Sequence, residues 1–568
     1  MDVGIAGSGP AAESLRAALA DVDATPVEAD PGDLGAFPVS VVVAPAGADA
    51  FGVADDIANR WLAVEIGGVG GHVVPALDAA VSAFAPDAGG FVDLRVRVAS
   101  TDTGSAGRPS GDRSAVRLAG AVAGRRLVAL LSGGDVTGTV VEVSGAGTGA
   151  TRRFLPVPDP ATRDRSLALD DAEAVPLDDA LDRAERAVDE RVGLLTQVGE
   201  RESWPVPYYV AGTADTTAFS DARAAEFAGG VDADWNAAYM KALGEGLERY
   251  CAGVYRTSEF TTAPETNLSN PVPVRRFVRP DGYETPGRED PVRWVDGVEL
   301  ATGDGASLPA EFVHYPPGAE RYKPAITTGL GLGNGGVEAA LSGLYEVVER
   351  DATMLAWYSS FDPLGLDVDD EVYETLLGRA RAERLDATAL LVTQDVDVPV
   401  VAAAVHREGD WPRFAMGSGA DLDAAAAARS ALAEALQNWT ELRLMGPEQS
   451  GQEEGAIGRY ADFPSAAARF VDVDATVPAA SVGPAEVPGG RAELDAVVER
   501  VADAGLDAYA ARVTTGDVAR LGFEAVRVLV PEAQPLFTGD PFFGDRARRV
   551  PAELGFEADL DRDFHPYP

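Results

Sequence analysis

Two stretches of this sequence carry the same pattern of acids and arginine: Leu-Gly-Glu-Gly-Leu-Glu-Arg at 243–249 and Leu-Tyr-Glu-Val-Val-Glu-Arg at 344–350. A third stretch, Ala-Leu-Ala-Glu-Ala-Leu-Gln at 431–437, keeps the first acid and has an amide in place of the second. Each stretch lies in a run with few helix-breaking residues, and side chains three and four apart share one face of a helix. We therefore predict three helices whose polar faces converge on one site.

The acids of these helices predict a metal site. At the second stretch the helical pattern begins earlier, and five polar residues follow one another on one face: Asn334, Ser342 and the acids Glu338, Glu346 and Glu349. With the other two helices, six carboxylates would meet: Glu245, Glu248, Glu338, Glu346, Glu349 and Glu434. Like charges this close raise one another's pKa unless a cation neutralises them. Mg²⁺ is the metal we expect, because it takes oxygen ligands and leaves positions for phosphate and water.

Basic residues beside these acids predict contacts with phosphate. Arg249 and Arg350 end the two complete motifs and offer planar forks for phosphate oxygens. Among 47 basic residues only two are lysines, Lys241 and Lys323. Lys241 lies four residues before Glu245, and Lys323 lies shortly before a glycine-rich run. Each could reach a phosphate as a compact charge, and the alternative is drift to lysine at two tolerant positions.

The composition excludes several classes of protein. A chain of 568 residues is long enough for two or more domains. The single cysteine, Cys251, excludes a disulfide framework and any multi-cysteine metal site, and it is expected in the core rather than in catalysis. We find no apolar run of about 20 residues and no N-terminal export signal, so we expect a cytoplasmic protein without a membrane span.

The charge of the chain is strongly acidic. A formal net charge of −44, from 91 acidic and 47 basic residues, opposes nucleic acid and anionic lipid as partners. Such a surface repels itself at low salt, whereas about molar salt shortens the Debye length to about 3 Å. We therefore expect a halophilic protein.

The pattern of predicted elements indicates a mixed α/β fold in two parts. Val3–Ala6, a glycine-rich turn at 7–12 and Glu13–Ala20 predict a strand, a turn and a helix, and Val39–Val43 predicts a further strand. This is typical of a Rossmann-like domain, although such a turn also serves simply to pack a helix on a strand. We assign residues 1–165 to a smaller Rossmann-like domain, 166–191 to a connecting amphipathic helix, and 192–568 to a larger domain.

Strands and helices alternate in the larger part as well. Val400–Val405 and Ala525–Val530 are rich in valine and predict buried strands, and Trp294–Gly303 alternates apolar and polar residues like a hairpin. Helices lie between them, so we expect a mixed α/β domain rather than a helical bundle.

The motifs of the larger part resemble those of the YcaO family. Residues 327–352 are similar to the second ATP and magnesium motif of that family, 242–249 to the first, and 431–437 to the third. The segment around Trp294, the run 526–531 and the terminal 565–568 also resemble family landmarks, so the likeness covers about 192–568. Two positions depart from the family pattern: Lys241 replaces a serine, and Gly229-Gly-Val231 replaces a Gly-Lys-Gly.

The resemblance implies an ATP-binding α/β fold and ATP-dependent activation of a peptide backbone amide. In this family the γ-phosphoryl group of ATP passes to the amide oxygen after a nucleophile has added to the carbonyl. The nucleophile is a Cys, Ser or Thr side chain in the azoline-forming branch and sulfide in the thioamide branch. ATP and Mg²⁺ are thus the expected cofactors, with the six carboxylates as metal ligands. The implied nucleotide contacts are Lys241, Glu245, Glu248, Arg249, Asn334, Ser342, Glu349, Arg350 and Gln437.

The two ends of the chain extend the resemblance. Azoline-forming members end in Pro-x-Pro-x-Pro, and this chain ends in Phe564-His-Pro-Tyr-Pro568, so the resemblance implies Pro568 and Arg350 as catalytic residues. The N-terminal part resembles degenerate partner domains related to ubiquitin-activating enzymes, which would present the peptide. The region 91–98 lacks the zinc-binding cysteine pairs of those partners.

Three functions remain open on the sequence. The leading one is cyclodehydration of a ribosomally made peptide, with or without a separate leader-binding protein. Backbone thioamidation would require a sulfur-delivering partner, and a non-catalytic accessory protein would bind ATP alone. A homodimer is the expected assembly.

Overall fold

A computed structural model describes residues 1–101, 107–159, 163–171, 174–450 and 456–567. The chain divides into two compact units. The first comprises 1–159, 185–197 and 213–220, and the second comprises 160–184, 198–212 and 221–568.

Alternating strands and helices build the first unit. Its described strands are β1 (Asp2–Ala6), β2 (Thr25–Glu28), β3 (Val39–Pro45), β4 (Trp61–Ile66), β5 (Gly68–Val69), β6 (His72–Val73), β7 (Ala79–Phe84), β8 (Thr139–Ser144) and β9 (Gly147–Arg153). Its described helices are α1 (Pro10–Leu19), α2 (Asp49–Ile57), α3 (Phe91–Ala99) and α4 (Arg113–Leu131). The main sheet has the order β2-β1-β3-β4-β7-β8-β9, parallel from β2 to β4 and antiparallel beyond.

The two faces of this sheet carry separate cores. In β3, Val41 and Val43 pack beneath α1 and α4, whereas Val42 packs with α2 and α3 on the opposite face. This alternation follows from the period of two in a strand. The Rossmann-like α/β arrangement predicted for this region is confirmed. Helix α1 begins at Pro10 rather than at Glu13, because proline fits the first turn of a helix.

The remaining elements lie wholly or mainly in the second unit. The strands are β10 (Leu195–Glu202), β11 (Tyr208–Thr213), β12 (Phe227–Val231), β13 (Thr261–Ala263), β14 (Val292–Glu299), β15 (Gly305–Pro309), β16 (Leu330–Gly333), β17 (Leu364–Asp367), β18 (Asp386–Leu391), β19 (Val400–His406), β20 (Phe414–Ala420), β21 (Thr476–Pro478), β22 (Tyr509–Arg512) and β23 (Glu524–Leu529). The helices are α5 (Leu177–Ala184), α6 (Trp235–Gly253), α7 (Ala310–Val313), α8 (Gly336–Trp357), α9 (Glu371–Ala382), α10 (Ala424–Ser450), α11 (Ala456–Tyr460), α12 (Ser465–Val471), α13 (Arg491–Asp503), α14 (Gly516–Arg520) and α15 (Arg546–Leu554).

Three mixed or antiparallel sheets organise these elements. Their orders are β10-β11-β12, β13-β14-β22-β23-β16 with β15 paired to β14, and β20-β19-β18-β17-β21. The three helices that carry the motifs each pack on strands: α6 on β12 and β16, α8 on β16 and β23, and α10 on β19 and β20. The mixed α/β fold predicted for this part is confirmed.

The predicted elements of the second unit differ from the observed ones mainly at their ends. The strands predicted at Val400–Val405 and Ala525–Val530 correspond to β19 and β23. The segment Trp294–Gly303 contains most of one strand and the following turn, and the hairpin partner β15 begins only at Gly305. Within 166–191, the helix α5 is followed by a 3₁₀ turn at Glu185–Ala187. The functional boundaries at 165 and 192 stay a prediction.

None of the helices in the described ranges combines the length and the apolar character that crossing a membrane requires.

The net charge of −44 leads to a first testable prediction. We expect the melting temperature to rise between about 0.1 M and about 1 M KCl, because the Debye length falls from about 10 Å to about 3 Å. Differential scanning calorimetry measures this, with sucrose of equal osmolality as the uncharged control. A melting temperature that sucrose raises as much as KCl does would contradict screening as the cause.

Candidate functional site

A cleft of about 490 Å³ lies among the three motif helices, and we call it the motif cleft. Eight of the residues predicted for the site line it: Lys241, Glu245, Glu248, Asn334, Glu338, Ser342, Glu434 and Gln437. Of the other predicted residues that the structure describes, Arg249, Glu346, Glu349 and Arg350 stand outside this lining. Pro568 is outside the described residues.

Close packing of glycine backbones places the first acidic helix against the cleft. A Cβ atom at Gly230 of β12 would lie 2.1 Å from the backbone nitrogen of Ala242, so only glycine allows β12 and α6 to approach this closely. The adjacent Gly229 donates its backbone N–H to Glu245 Oε2 at 3.2 Å. Asp234 caps α6 by accepting two backbone N–H bonds at the first turn. The strand thus holds the first acid of the motif in place.

The second acidic helix is positioned by the glycine-rich turn before it. Gly329 has φ +89°, a left-handed conformation that favours glycine, and its N–H bonds to Glu346 Oε2 at 2.9 Å. A Cβ at Gly331 would lie 2.2 Å from the carbonyl oxygen of Ala339, so β16 and α8 pack backbone to backbone. Gly329 and Gly331 therefore position α8 against β16.

One detail of the predicted acidic face is wrong. Helix α8 begins at Gly336, so Asn334 lies in the preceding turn and not on the helical face. Its backbone N–H donates to Glu338 Oε2 at 2.9 Å, and its side-chain amide donates to the same carboxylate at 3.1 Å. Asn334 also accepts a bond of 2.5 Å from Arg183. The two glycines that flank Asn334 favour a turn over a longer helix.

Arg350 is the meeting point of the second and third motifs. Its guanidinium nitrogens lie 3.5 Å from Glu349, 3.8 Å from Glu434 and 4.0 Å from Glu346. Although burial lowers the pKa of Arg350, these three carboxylates hold it above the ordinary value. Arg350 therefore stays charged and joins the acids of α8 and α10.

Ser418 of β20 links the same two helices and was not predicted. Its hydroxyl donates to Glu349 Oε1 at 2.6 Å, and its backbone N–H donates to Glu434 Oε2 at 2.5 Å. The only sequence signal was its place in the small-residue run Met416-Gly-Ser-Gly-Ala420, which carries no specific chemistry.

Three acids of the site, Glu248, Glu349 and Glu434, have pKa values above the ordinary value. Burial raises the pKa of Glu248 to about 8; Arg249 opposes the shift, while Glu245 and Glu346 add to it. Burial likewise raises the pKa of Glu434 and of Glu349, against the effect of Arg350 and with that of Glu346. Glu346 therefore influences the ionisation of one acid on each of α6, α8 and α10.

The donor chemistry fits a hard divalent cation. All the candidate ligands are carboxylates, which Mg²⁺ prefers, and a cation would lower the raised pKa values of Glu248, Glu349 and Glu434. As the side chains lie, no group of three or more such ligands in the described part of the chain is close enough to hold a metal. Glu245 is instead bonded to Arg249 at 2.8 Å, and Glu346 to the Gly329 amide.

The predicted phosphate contacts occupy different places. Lys241 is exposed at the motif cleft and pairs with Asp232 at 2.7 Å. Arg249 keeps one buried nitrogen, Nη1, for which the described residues supply no hydrogen-bond partner. Gln437 lines the cleft and donates to Glu441 at 3.1 Å. Lys241 and Gln437 are thus placed where a ligand in the cleft would meet their polar atoms, whereas Arg249 lies outside the lining.

Arg527 of β23 is a second residue that was not predicted as part of the site. It is buried and donates to the carbonyl oxygens of Thr327 at 2.7 Å and Ile326 at 2.9 Å. Burial lowers its pKa to about 10, while Glu346 and Glu248 oppose the shift. The signal available was a lone charge within the apolar strand Val526-Arg-Val-Leu-Val530.

The described part of the C-terminal tail reaches Arg350 and Arg562. Tyr567 is fully buried, and burial raises its pKa, with Arg562 and Arg350 opposing and Glu349 adding to the shift. The Arg562 guanidinium lies 4.1 Å above the Trp357 ring, and the Tyr460 hydroxyl donates to the carbonyl of Phe564. The tail is thus fixed beside Arg350 as far as the structure describes it.

Comparison with known families identifies this arrangement. The family described as YcaO cyclodehydratase, ATP- and Mg²⁺-binding, matches residues 229–534. This chain belongs to the YcaO family. The matched range includes all three motif helices and Arg527 of this YcaO protein, whereas Tyr567 and Pro568 of the C-terminal tail lie beyond it.

Relatives and solved structures extend the match beyond the site. An uncharacterized protein of Methanothermobacter thermautotrophicus is 26% identical over 326 residues, 54% of this chain and 80% of that protein. A heterocyclase solved in complex with substrate and cofactor shares the fold with a TM-score of 0.75 at 17% identity, over 98% of this chain and 83% of the other. The heterocyclase TruD gives a TM-score of 0.67 at 15% identity, over 98% and 82%.

Glu248 gives the YcaO site a testable pH dependence. Its folded pKa of about 8 lies above the ordinary value of 4.5, so between these values the unfolded state releases a proton that the folded state keeps. The free energy of unfolding therefore falls as pH rises, by about 2 kcal/mol from Glu248 alone between about pH 6.5 and pH 8.5. We expect Glu248→Gln to lose this part of the slope in urea unfolding. Equal slopes for the two proteins would contradict the prediction.

Proposed function

We propose that this protein is an ATP- and Mg²⁺-dependent enzyme that activates a peptide backbone amide by phosphorylating its oxygen. The product we propose is an azoline, formed by cyclodehydration of a Cys, Ser or Thr residue in a ribosomally made peptide. The observation that carries this proposal is the motif cleft itself, where three helices of a YcaO chain bring carboxylates to one side of a nucleotide-sized space. Its fold, shared with a heterocyclase solved with substrate and cofactor, supports the same activity.

The residues in and beside the cleft differ in the ligand that each would bind. Glu245 and Glu248 of the cleft, with Glu346 behind its lining, would bind the cation, and Arg249, also behind the lining, would add positive charge near the phosphates. Bound Mg²⁺ would neutralise both the acids and the phosphates and orient the phosphate chain for transfer. Lys241, at the exposed side of the cleft, adds a point charge for a phosphate.

The proposed reaction balances without a nucleophile from the enzyme. The substrate's thiol or hydroxyl adds to the preceding carbonyl carbon and loses its proton, and the carbonyl π pair moves to the oxygen. That oxygen bonds to the γ-phosphorus of ATP as the bond to ADP breaks. The carbon–oxygen bond then breaks with its pair going to phosphate, and the nitrogen loses its proton to form the C=N bond. Peptide and ATP thus become azoline, ADP, hydrogen phosphate and one proton.

The protein's own part in this reaction is to position groups and to balance charge. The single cysteine is unsuited to covalent catalysis, because burial raises the pKa of Cys251 to about 12 and its sulfur lies 3.6 Å from the hydroxyl of Thr515. Its placement in the core agrees with the sequence-based expectation.

Two measurements test the proposal. Calorimetric titration with a non-hydrolysable ATP analogue, with and without Mg²⁺ in KCl, should show binding that requires the metal. Mass spectrometry of short peptides rich in Cys, Ser and Thr, incubated with ATP, should show the loss of one water per ring. Exchange of oxygen for sulfur upon addition of sulfide would favour thioamidation instead. Nucleotide binding without any change in the peptides would favour an accessory protein.

A further inference from the structure

A small cavity of about 40 Å³ lies beside Arg350 and Arg527, and we call it the cation chamber. Lys323, Arg350 and Arg527 line it, and among the described residues it shares no lining with the motif cleft. One ion pair nevertheless links the two spaces, because Arg350, which lines the chamber, lies 3.8 Å from Glu434, which lines the cleft. A group in the chamber would therefore lie close to the end of a nucleotide in the cleft.

Lys323 is the unusual residue of this chamber. No hydrogen bond or ion pair to any described residue holds its ammonium, and the Phe312 ring centre lies 5.0 Å away. Burial lowers the pKa of Lys323 to about 7, Arg527 adds to the shift, and Glu311 opposes it. The Glu311 carboxylate is itself occupied by the Tyr322 N–H at 2.6 Å and by Arg321 at 3.6 Å. The amine of Lys323 thus has no anionic partner among the residues that the structure describes.

Size limits what the chamber can take. A single water requires about 10–15 Å³ on the same measure, so a cavity of about 40 Å³ has room for a few waters, an amide group or one phosphate. A nucleoside would not fit. A partly buried cation without a partner is costly, and an anion beside it removes much of that cost.

The chamber also has a neighbour through which a peptide could reach it. Ile326 lines both the chamber and a cavity of about 600 Å³ whose walls include Phe537, Phe542 and Phe543. The same cavity is lined by the charged side chains Arg279, Asp281, Asp540 and Arg548, so its walls offer both apolar contacts and polar partners to a peptide.

We infer that the cation chamber is the acceptor site: it takes the backbone carbonyl of the peptide, and Lys323 and Arg527 hold the charge that develops on its oxygen. The same cations then hold the phosphate that leaves with that oxygen. This inference rests on the proposed function. It places the peptide amide in the chamber, next to Arg350, and the nucleotide in the motif cleft that Arg350 joins through Glu434.

The two lysines of the chain allow a direct test on the intact protein. Lysine labelled with ¹³C at Cε gives one signal each from Lys241 and Lys323, and the shift of each signal reports the charge on its amine. We expect inorganic phosphate, at constant ionic strength, to raise the pKa of Lys323 by about one unit or more, because an anion favours the charged amine. Lys241 lies at the exposed side of the motif cleft, so a shift of its signal reports phosphate in the cleft instead. A Lys323 signal that phosphate leaves unmoved would overturn the inference.

A second test separates this inference from the proposed function. Lys323→Met should lower ATP turnover with a peptide substrate by about 10²–10³-fold, the usual effect of losing a group that holds a developing oxyanion. Binding of the ATP analogue should stay within about twofold, since the nucleotide lies elsewhere, and Lys323→Arg should restore part of the turnover. Arg549→Met, at an exposed i,i+4 pair, is the control.

The outcomes are distinct. If the intact protein binds no nucleotide, the proposed function fails, and the phosphate titration alone decides whether the chamber binds anions. If the intact protein turns over and Lys323→Met matches it, the acceptor site is wrong while the proposed function stands. A melting temperature equal to or above that of the intact protein would show that Lys323→Met folds.

Discussion

Glu346→Gln is expected to lower the affinity for the Mg²⁺ complex of ATP by at least about 100-fold. Loss of a residue that only hydrogen-bonds to a metal ligand lowers metal affinity by about 10- to 100-fold, and loss of a metal ligand itself should have at least the larger effect. Glu346 is the acid that influences both Glu248 on α6 and Glu434 on α10, so it stands where a cation would be shared. The amide of glutamine keeps an oxygen to accept the Gly329 N–H but carries no charge. Titration calorimetry with an ATP analogue and Mg²⁺ measures the loss.

The matched control for this change is Glu553→Gln. Glu553 lies exposed on α15 and pairs with Arg549 at 2.8 Å, far from any motif helix in sequence, so its loss should leave nucleotide binding unchanged. Circular dichroism should show that both variants keep the native secondary structure. Affinity of Glu346→Gln within about threefold of the intact protein would mean that the metal is held by other groups.

The three motif helices could be predicted because their signal is local. An acid, a second acid and an arginine at helical spacing define a face, and the apolar residues between them define the side that packs. Residues 243–249, 344–350 and 431–437 therefore fall on α6, α8 and α10, and their acids influence one another's ionisation. The resemblance to a family added what the acids bind, which spacing alone does not indicate.

The residues that sequence reasoning missed are held by tertiary structure. Ser418 bridges Glu349 and Glu434 only because β20 lies between α8 and α10, and nothing within Met416–Ala420 indicates that neighbour. Arg527 gains its role from the turn at Ile326 and Thr327, which is some 200 residues away in sequence. Such contacts depend on sheet order, which a single sequence does not encode in its local pattern.

The sequence pattern also could not predict the direction in which a side chain points. The sequence places Arg350 on the acidic face with Glu346 and suggests a phosphate contact, whereas the structure surrounds it with three carboxylates and opens it to the cation chamber. Lys323 could be noticed as one of two lysines, but its lack of an anionic partner follows from the packing of α7 and β23 around it. The composition of the chain identified Lys323, whereas its lack of an anionic partner is visible only in the folded structure.

Arg350→Met is expected to reduce the free energy of unfolding by about 3–5 kcal/mol, because removing one partner of a buried ion pair leaves the other charges uncompensated. Glu349 and Glu434 would remain buried, and the hydrogen bonds from Ser418 would be their main compensation. Methionine keeps much of the volume of arginine, so the effect would come from charge rather than from a cavity. Urea unfolding of both proteins measures the difference.

The pH dependence of this deficit distinguishes charge from packing. Burial already holds the pKa of Glu349 and of Glu434 above the ordinary value, and loss of Arg350 would raise both further. A carboxyl with a raised folded pKa contributes stability at low pH that is lost as pH rises through that pKa, so the deficit should be larger at about pH 8.5 than at about pH 6. Adding Glu434→Gln to Arg350→Met should recover part of the loss, since one buried charge is then removed. A deficit independent of pH and of Glu434 would show that Arg350 acts through packing, and the acids of α8 and α10 would then not form one electrostatic unit.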